Sequence, residues 1–119
     1  MNLSPGQLDH LFQALGDPTR RAILERLARG PATVTEMAHP FDMALPSFMG
    51  HVRRLEDAGL VASDKVGRVR TVRLVPGAFT PVRSWLDEQR AIWEGRLDRL
   101  DDYVTRLMKE RTDGSGSQD

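Results

Sequence analysis

Between residues 53 and 73 the sequence sets out Arg53, Arg54, Lys65, Arg68, Arg70 and Arg73, while residues 49–73 hold only three acids, Glu56, Asp57 and Asp64. A guanidinium carries five N–H donors in a planar fork and stays charged at every physiological pH, so this cluster suits anionic oxygens. It does not suit bond-breaking chemistry. No glycine-rich phosphate loop, activated serine or metal-ligand cluster accompanies it. The absence of cysteine removes disulfides, thiol catalysis and thiolate metal sites together. Carboxylates are plentiful near the C-terminus, but in "EGRLDRLDD" they alternate with arginines at helical spacing, which reads as surface pairing. No enzyme is expected.

The elements that must position the cluster can be read from caps and periodicity. Ser4-Pro5-Gly6-Gln7 has the form of a helix start, with a serine cap, proline at the first helical position and glutamine completing a capping box. Leu8, Leu11, Phe12 and Leu15 then share a face before Gly16. Asp17-Pro18 starts a second helix with Ile23, Leu24 and Leu27 inward, stopped at Gly30-Pro31. Thr33-Val34-Thr35-Glu36 is a further capping box, opening a short helix that Pro40 closes. A fourth helix is predicted from about Leu45 to Ala58, with Phe48, Val52 and Leu55 on its apolar face. In "LVASDKVGRVRTVRLV", residues 60–75, β-branched residues alternate with Arg68, Arg70 and Arg73 around Gly67, which reads as a hairpin with a basic tip or flank.

Beyond Pro76-Gly77 the pattern returns to steps of three and four: Val82, Leu86, Trp93, Leu97, Leu100, Val104 and Leu107. One helix over about 79–111 follows, nearly 50 Å long at 1.5 Å per residue. Trp85, Ile92, Trp93 and Tyr103 give it more apolar surface than a small head can cover, so a homodimer is expected through this helix packed with the first. The expected interface is Leu8, Leu11, Phe12, Trp85, Ile92, Trp93, Leu97, Leu100 and Val104. The tail, 112–119, has the composition of a disordered segment. Residues 1–111 therefore form one unit, mainly α with a small β-hairpin.

Four helices followed by a hairpin match a winged helix-turn-helix with a long C-terminal dimerisation helix. The 119 residues carry 17 basic and 17 acidic side chains. Bulk charge thus favours no partner, and any polyanion site must be local. From residue 76 onward nine acids face seven bases, so the positive charge is concentrated where a helix and a wing could meet phosphates. Double-stranded DNA is the expected partner, contacted by Ser47, Met49, Gly50, Arg53, Arg54, Lys65, Arg68 and Arg70. Ser47 can donate to a phosphate or base edge, or simply cap its helix. Met49 can meet a thymine methyl while Gly50 lets the backbone come close, or the pair can be without functional meaning. A winged helix used only for protein–protein contact is the alternative, and the basic wing argues against it. With no apolar window of about eighteen residues and no signal pattern at the N-terminus, no membrane partner is expected, and the location is cytoplasmic.

The segments "FQALGDPTRRAILERLARGPATVTEMA", "LPSFMGHVRRLEDAGLV" and "GRVRTVRL" together resemble the ArsR/SmtB-type bacterial winged-helix repressors over residues 7–75. The resemblance implies a homodimer on a partly palindromic operator, repressing transcription until an inducer arrives. His51 sits where that family has a histidine in the recognition helix, so the resemblance adds it to the expected DNA contacts. The inducer is often a metal, yet members sensing soft metals use cysteines on the third helix. Those sensing zinc-like ions pair aspartate with histidine on the last helix. Here that helix has Asp98, Asp101 and Asp102 but no histidine follows residue 76, and His10, His39 and His51 lie in different elements. No metal and no cofactor is expected, and the inducer would be a small molecule or a protein.

Overall fold

The computed structural model describes residues 5–116, with side chains as far as residue 112, so Ser4 and its capping role lie outside the described residues. Helix α1 spans Pro5–Leu15 and α2 spans Pro18–Leu27. A two-residue strand β1, Ala32–Thr33, leads into the short α3, Val34–Ala38. Helix α4 is Leu45–Asp57, the hairpin is β2, Val61–Val66, and β3, Val69–Leu74, and α5 is Thr80–Gly116.

Local chemistry explains most boundaries. Asp17 caps α2 by accepting the Arg20 amide at 3.0 Å, with Pro18 at the first helical position. Thr33 caps α3 by accepting the Glu36 amide at 3.1 Å. Helix α4 ends in a Schellman motif: the Leu60 amide reaches the Leu55 carbonyl at 3.0 Å and the Gly59 amide reaches Glu56 at 2.9 Å. Gly59 sits at φ 76, a left-handed conformation that any side chain would strain. The hairpin turns through Gly67 (φ 62) and Arg68.

The three strands pair antiparallel in the order β1-β3-β2. Periodicity does not show β1, because two residues are too few to alternate and the second, Thr33, is also the cap of α3; Ala32 pairs with Val72 and Thr33 with Thr71. Phe48, Val52, Leu55, Ile23, Leu60 and Val72 are completely buried at the centre of one core that draws on every element from α1 to the start of α5. Fully burying such a side chain contributes roughly 1.5–3 kcal/mol. Leu11 belongs to this core at 5% exposure, which corrects its expected place at a dimer interface: it has no surface to offer a second chain. The face expected on α1 is rotated accordingly, with Leu11 and Ala14 inward, Leu8 and Leu15 half-buried, and Phe12 at the surface.

Two compact units divide the chain between Val82 and Arg83. The second is α5 alone, and it begins beyond Val82, whose side chain is buried in the head. Over 37 residues α5 has a length of about 55 Å. It continues past Arg111, where composition placed its end, because no proline interrupts it; residues 117–119 lie outside the described residues. Its ion pairs run Arg83–Asp87–Arg90–Glu94, reaching only the first residue of the "EGRLDRLDD" segment where pairing was expected. Arg96 lies over the Trp93 ring, 5.7 Å from its centroid. No helix among the described residues is long and apolar enough to cross a membrane.

Candidate nucleic-acid interface

Helix α4 sorts its side chains by angle, about 100° per residue. Phe48, Val52 and Leu55 point into the core. Gly50 lies on the opposite crest, where an added Cβ would meet nothing within 4 Å. Met49, Arg53 and Glu56 occupy the flank toward the wing, and Ser47, His51 and Arg54 the flank toward α1 and α2. The adjacent arginines therefore part company. Arg53 lines a groove between α4 and the wing, whereas Arg54 lines a separate hollow with His10, Gln13 and Asp57.

The wing reaches that first groove because of strand register. Val61 opposes Leu74, Ser63 opposes Val72 and Lys65 opposes Arg70. Side chains alternate along a strand, so the face that takes Val61 and Val72 into the core carries Lys65 and Arg70 past its edge. Arg68, in the turn, joins them. Met49, Arg53, Lys65, Arg68 and Arg70 thus line one groove of about 380 Å³, with Glu56 as its acid. Arg70 donates to Ser63 Oγ at 2.7 Å, and Ser63 hydrogen-bonds Glu56, which braces the wing against α4. Arg73 is on the other face, paired with Asp64 at 3.2 Å. At the tip Val66 and Val69 pair across the strands and are exposed.

The N-terminus of α4 has Ala44 as its cap residue, with no side-chain hydrogen bond. Ser47 does not cap this helix; it stands exposed in the first turn beside unshared backbone amides, an end that favours anions. His51 is the predicted contact that the structure engages internally. Its Nδ1 lies 3.2 Å from Arg20 Nη1 and 3.7 Å from Asp17 Oδ2. Burial opposes ionisation of Asp17, but the Arg20 amide hydrogen bond, then the neighbouring His51 and Arg20 side chains, outweigh it and hold the carboxyl below its ordinary value. Because the folded value is depressed, the stability Asp17 contributes is present above the ordinary carboxylate range and is lost as pH falls through the folded value.

Sequence reasoning missed Arg20 and Arg21. Arg20 is buried, giving Nε to the Ala14 carbonyl at 2.7 Å and Nη2 to Gln13 at 2.8 Å, while Arg21 reaches the Leu15 carbonyl at 2.7 Å. The pair satisfies the carbonyls that α1 leaves open at its C-terminus. Its only trace in sequence is two arginines just after a Gly-Asp-Pro break. Among the described residues no three histidine or acidic side chains gather as a metal site would require.

Residues 15–64 match the model of a helix-turn-helix domain family. A crystal structure of an ArsR family transcriptional regulator is 58% identical and aligns with a TM-score of 0.76 over 79% of this chain and 97% of that one. The HTH-type transcriptional regulator Rv2034 of Mycobacterium tuberculosis is 40% identical over 79 residues, 66% of this chain and 74% of that protein. The homodimeric winged helix-turn-helix DNA-binding domain Mb0332 of Mycobacterium bovis, a possible ArsR-family regulator, is 27% identical with a TM-score of 0.57 over 71% and 82% of the two chains. With its helix-turn-helix head, its basic wing and these relatives, the chain belongs to the ArsR family of winged helix-turn-helix transcriptional regulators and is not an enzyme.

Proposed function

We propose that this regulator is a homodimeric, sequence-specific repressor of a partly palindromic operator, and that its inducer is not a transition metal. The observation that carries the reading is the meeting of Arg53 with Lys65, Arg68 and Arg70 in one groove, four cations from two elements facing a single acid. Helix α4 enters the major groove, Arg53 and Met49 meet base edges or phosphates, and the wing cations meet the backbone. Ser47 and the α4 amides serve a phosphate on the opposite flank. Residues 1–82 then form the reading head, and α5 joins two copies; the homodimeric relative supports that assembly. Repression follows the family resemblance, since an occupied operator excludes polymerase.

Absence of cysteine and of any histidine after residue 76 leaves no thiolate or imidazole ligands on α5 for its aspartates to join. The test is a titration of the full chain against the DNA upstream of its own gene and a scrambled duplex, at several salt concentrations. Tighter binding to the former, with a steep salt slope, is expected. Equal affinity for both would remove sequence specificity from the proposal. A reporter driven from that DNA should fall when the protein is supplied. Zinc, nickel, cobalt and copper at micromolar levels should leave the complex intact; stoichiometric, chelator-reversible release by any of them would overturn the metal-independent reading.

A further inference from the structure

Arg20 is buried and has no path to DNA, yet it touches His51, a titratable side chain of α4 that combines an internal partner with an open edge. A guanidinium has no acceptor. In the 3.2 Å contact between Arg20 Nη1 and His51 Nδ1 the arginine therefore donates, and Nδ1 is the lone-pair nitrogen. The neutral ring then carries its proton on Nε2. Asp17, at 3.7 Å, is beyond hydrogen-bond reach of Nδ1 and does not compete for a proton there. Among the described residues Nε2 has no partner and no buried side-chain nitrogen or oxygen lacks one, so Nε2 opens to solvent. It does so on the flank of α4 that also carries Ser47 and Arg54.

We infer that Arg20 is a positioning residue for recognition: by donating to Nδ1 it fixes His51 in the tautomer that presents an Nε2–H donor, so His51 selects a hydrogen-bond acceptor on the operator. The inference rests on the DNA-binding reading above. Arg20 is itself held by the Ala14 and Gln13 carbonyls, so its third donor is aimed by the end of α1 rather than by the flexibility of its stem. A purine N7, a guanine O6 or a thymine O4 would accept from Nε2, and so would a phosphate oxygen; an exocyclic amino group would not. The ring thus reads polarity as well as position, and the rotamer and tautomer that make it do so are set 31 residues away in sequence.

Nitrogen-resolved NMR of the histidine rings in the unbound, full-length protein at neutral pH tests the first half. Protonation at Nε2 of His51 is expected; a proton on Nδ1, or an imidazolium, overturns the inference without touching the DNA-binding reading. Arg20→Lys keeps the charge but cannot fork to two carbonyls and a ring, and should yield mixed tautomers with weaker operator binding. If that variant folds and its ring stays protonated at Nε2 alone, Arg20 is not the positioning residue. Should it fail to fold, the comparison of His51→Gln with His51→Asn decides. Glutamine places an amide near Nε2 and asparagine near Nδ1, so His51→Gln should bind roughly three- to tenfold tighter, the worth of one hydrogen bond. Equal losses would count against a donor at Nε2. Operators in which purine N7, guanine O6 or thymine O4 is removed one at a time (7-deazapurines, 2-aminopurine, 5-methyl-2-pyrimidinone), or that carry single neutral methylphosphonates, distinguish a base acceptor from a phosphate; if none of these substitutions weakens wild-type binding, the acceptor does not exist. Failure of wild type to bind any duplex would instead sink the DNA-binding reading, and the ring measurement would stand by itself.

Discussion

The head and the long helix repeat apolar residues at the same three- and four-residue steps, and the outcome is opposite. In α4, Phe48, Val52 and Leu55 are fully buried; in α5, Trp93 is 59% exposed and Leu97 and Leu100 55%. No residue described from Arg83 onward is buried. The head closes a core of its own, whereas Leu86, Trp93, Leu97, Leu100, Val104 and Leu107 lie along one stripe of α5 and are exposed. An isolated helix with such a stripe gains little from propensity alone, and most helical stability comes from packing an apolar face. The same periodicity thus encodes folding in one region and, in the function proposed above, assembly in the other.

The strongest way to break that comparison is Trp93→Ala. If Trp93 is an interface anchor, its truncation costs roughly 3–5 kcal/mol, comparable to a core deletion. The expected result is a monomer or an unstable protein that no longer binds the operator, although Trp93 never touches DNA. Sedimentation alongside the binding titration checks it. A variant that remains dimeric and stable at micromolar concentration would place the interface elsewhere.

Within the head, the contrast is between two neighbours. Arg53→Ala should weaken operator binding by roughly 1–3 kcal/mol with folding intact, and Arg54→Ala, on the other flank, by less. Indistinguishable affinities for Arg53→Ala and wild type at fixed salt would take Arg53 out of the interface. The wing should behave differently again. Arg68→Ala combined with Arg70→Ala is expected to weaken operator and scrambled DNA alike and to flatten the salt slope by up to about two units. Loss confined to the operator would mean that the wing reads bases.

The elements were legible wherever a cap or a steric rule acts over a few residues. Asp17-Pro18, the Ala58-Gly59 stop and the Gly67 turn each fix a boundary by local chemistry, and the structure keeps all three. What sequence could not carry was contact across distance. β1 is a strand only because β3 lies beside it, and Leu11 is inward only because α2 and α4 rotate α1 against them. The basic cluster was visible as a count, but its division was not: strand register sends Lys65 and Arg70 to the groove and Arg73 away from it. Arg20 was invisible, since nothing in a linear pattern joins it to His51.

Gly50 offers the smallest effect and the sharpest separation of folding from function. It stands inside α4 without the positive φ that would call for glycine, and a Cβ there would meet nothing within 4 Å beyond its own stretch of helix. For folding alone, alanine is better by roughly 0.5–1 kcal/mol, because it loses less backbone entropy. Gly50→Ala should therefore raise the melting temperature by a few degrees. The same methyl would stand on the crest of α4, opposite the core, where the helix would face the floor of the major groove. If the backbone lies against a base edge, the methyl holds the helix off and operator affinity falls while stability rises. Thermal melting and titration of this one variant measure both. Opposite signs would mean that the glycine serves the DNA; a variant that is more stable and binds equally well would show that it serves nothing.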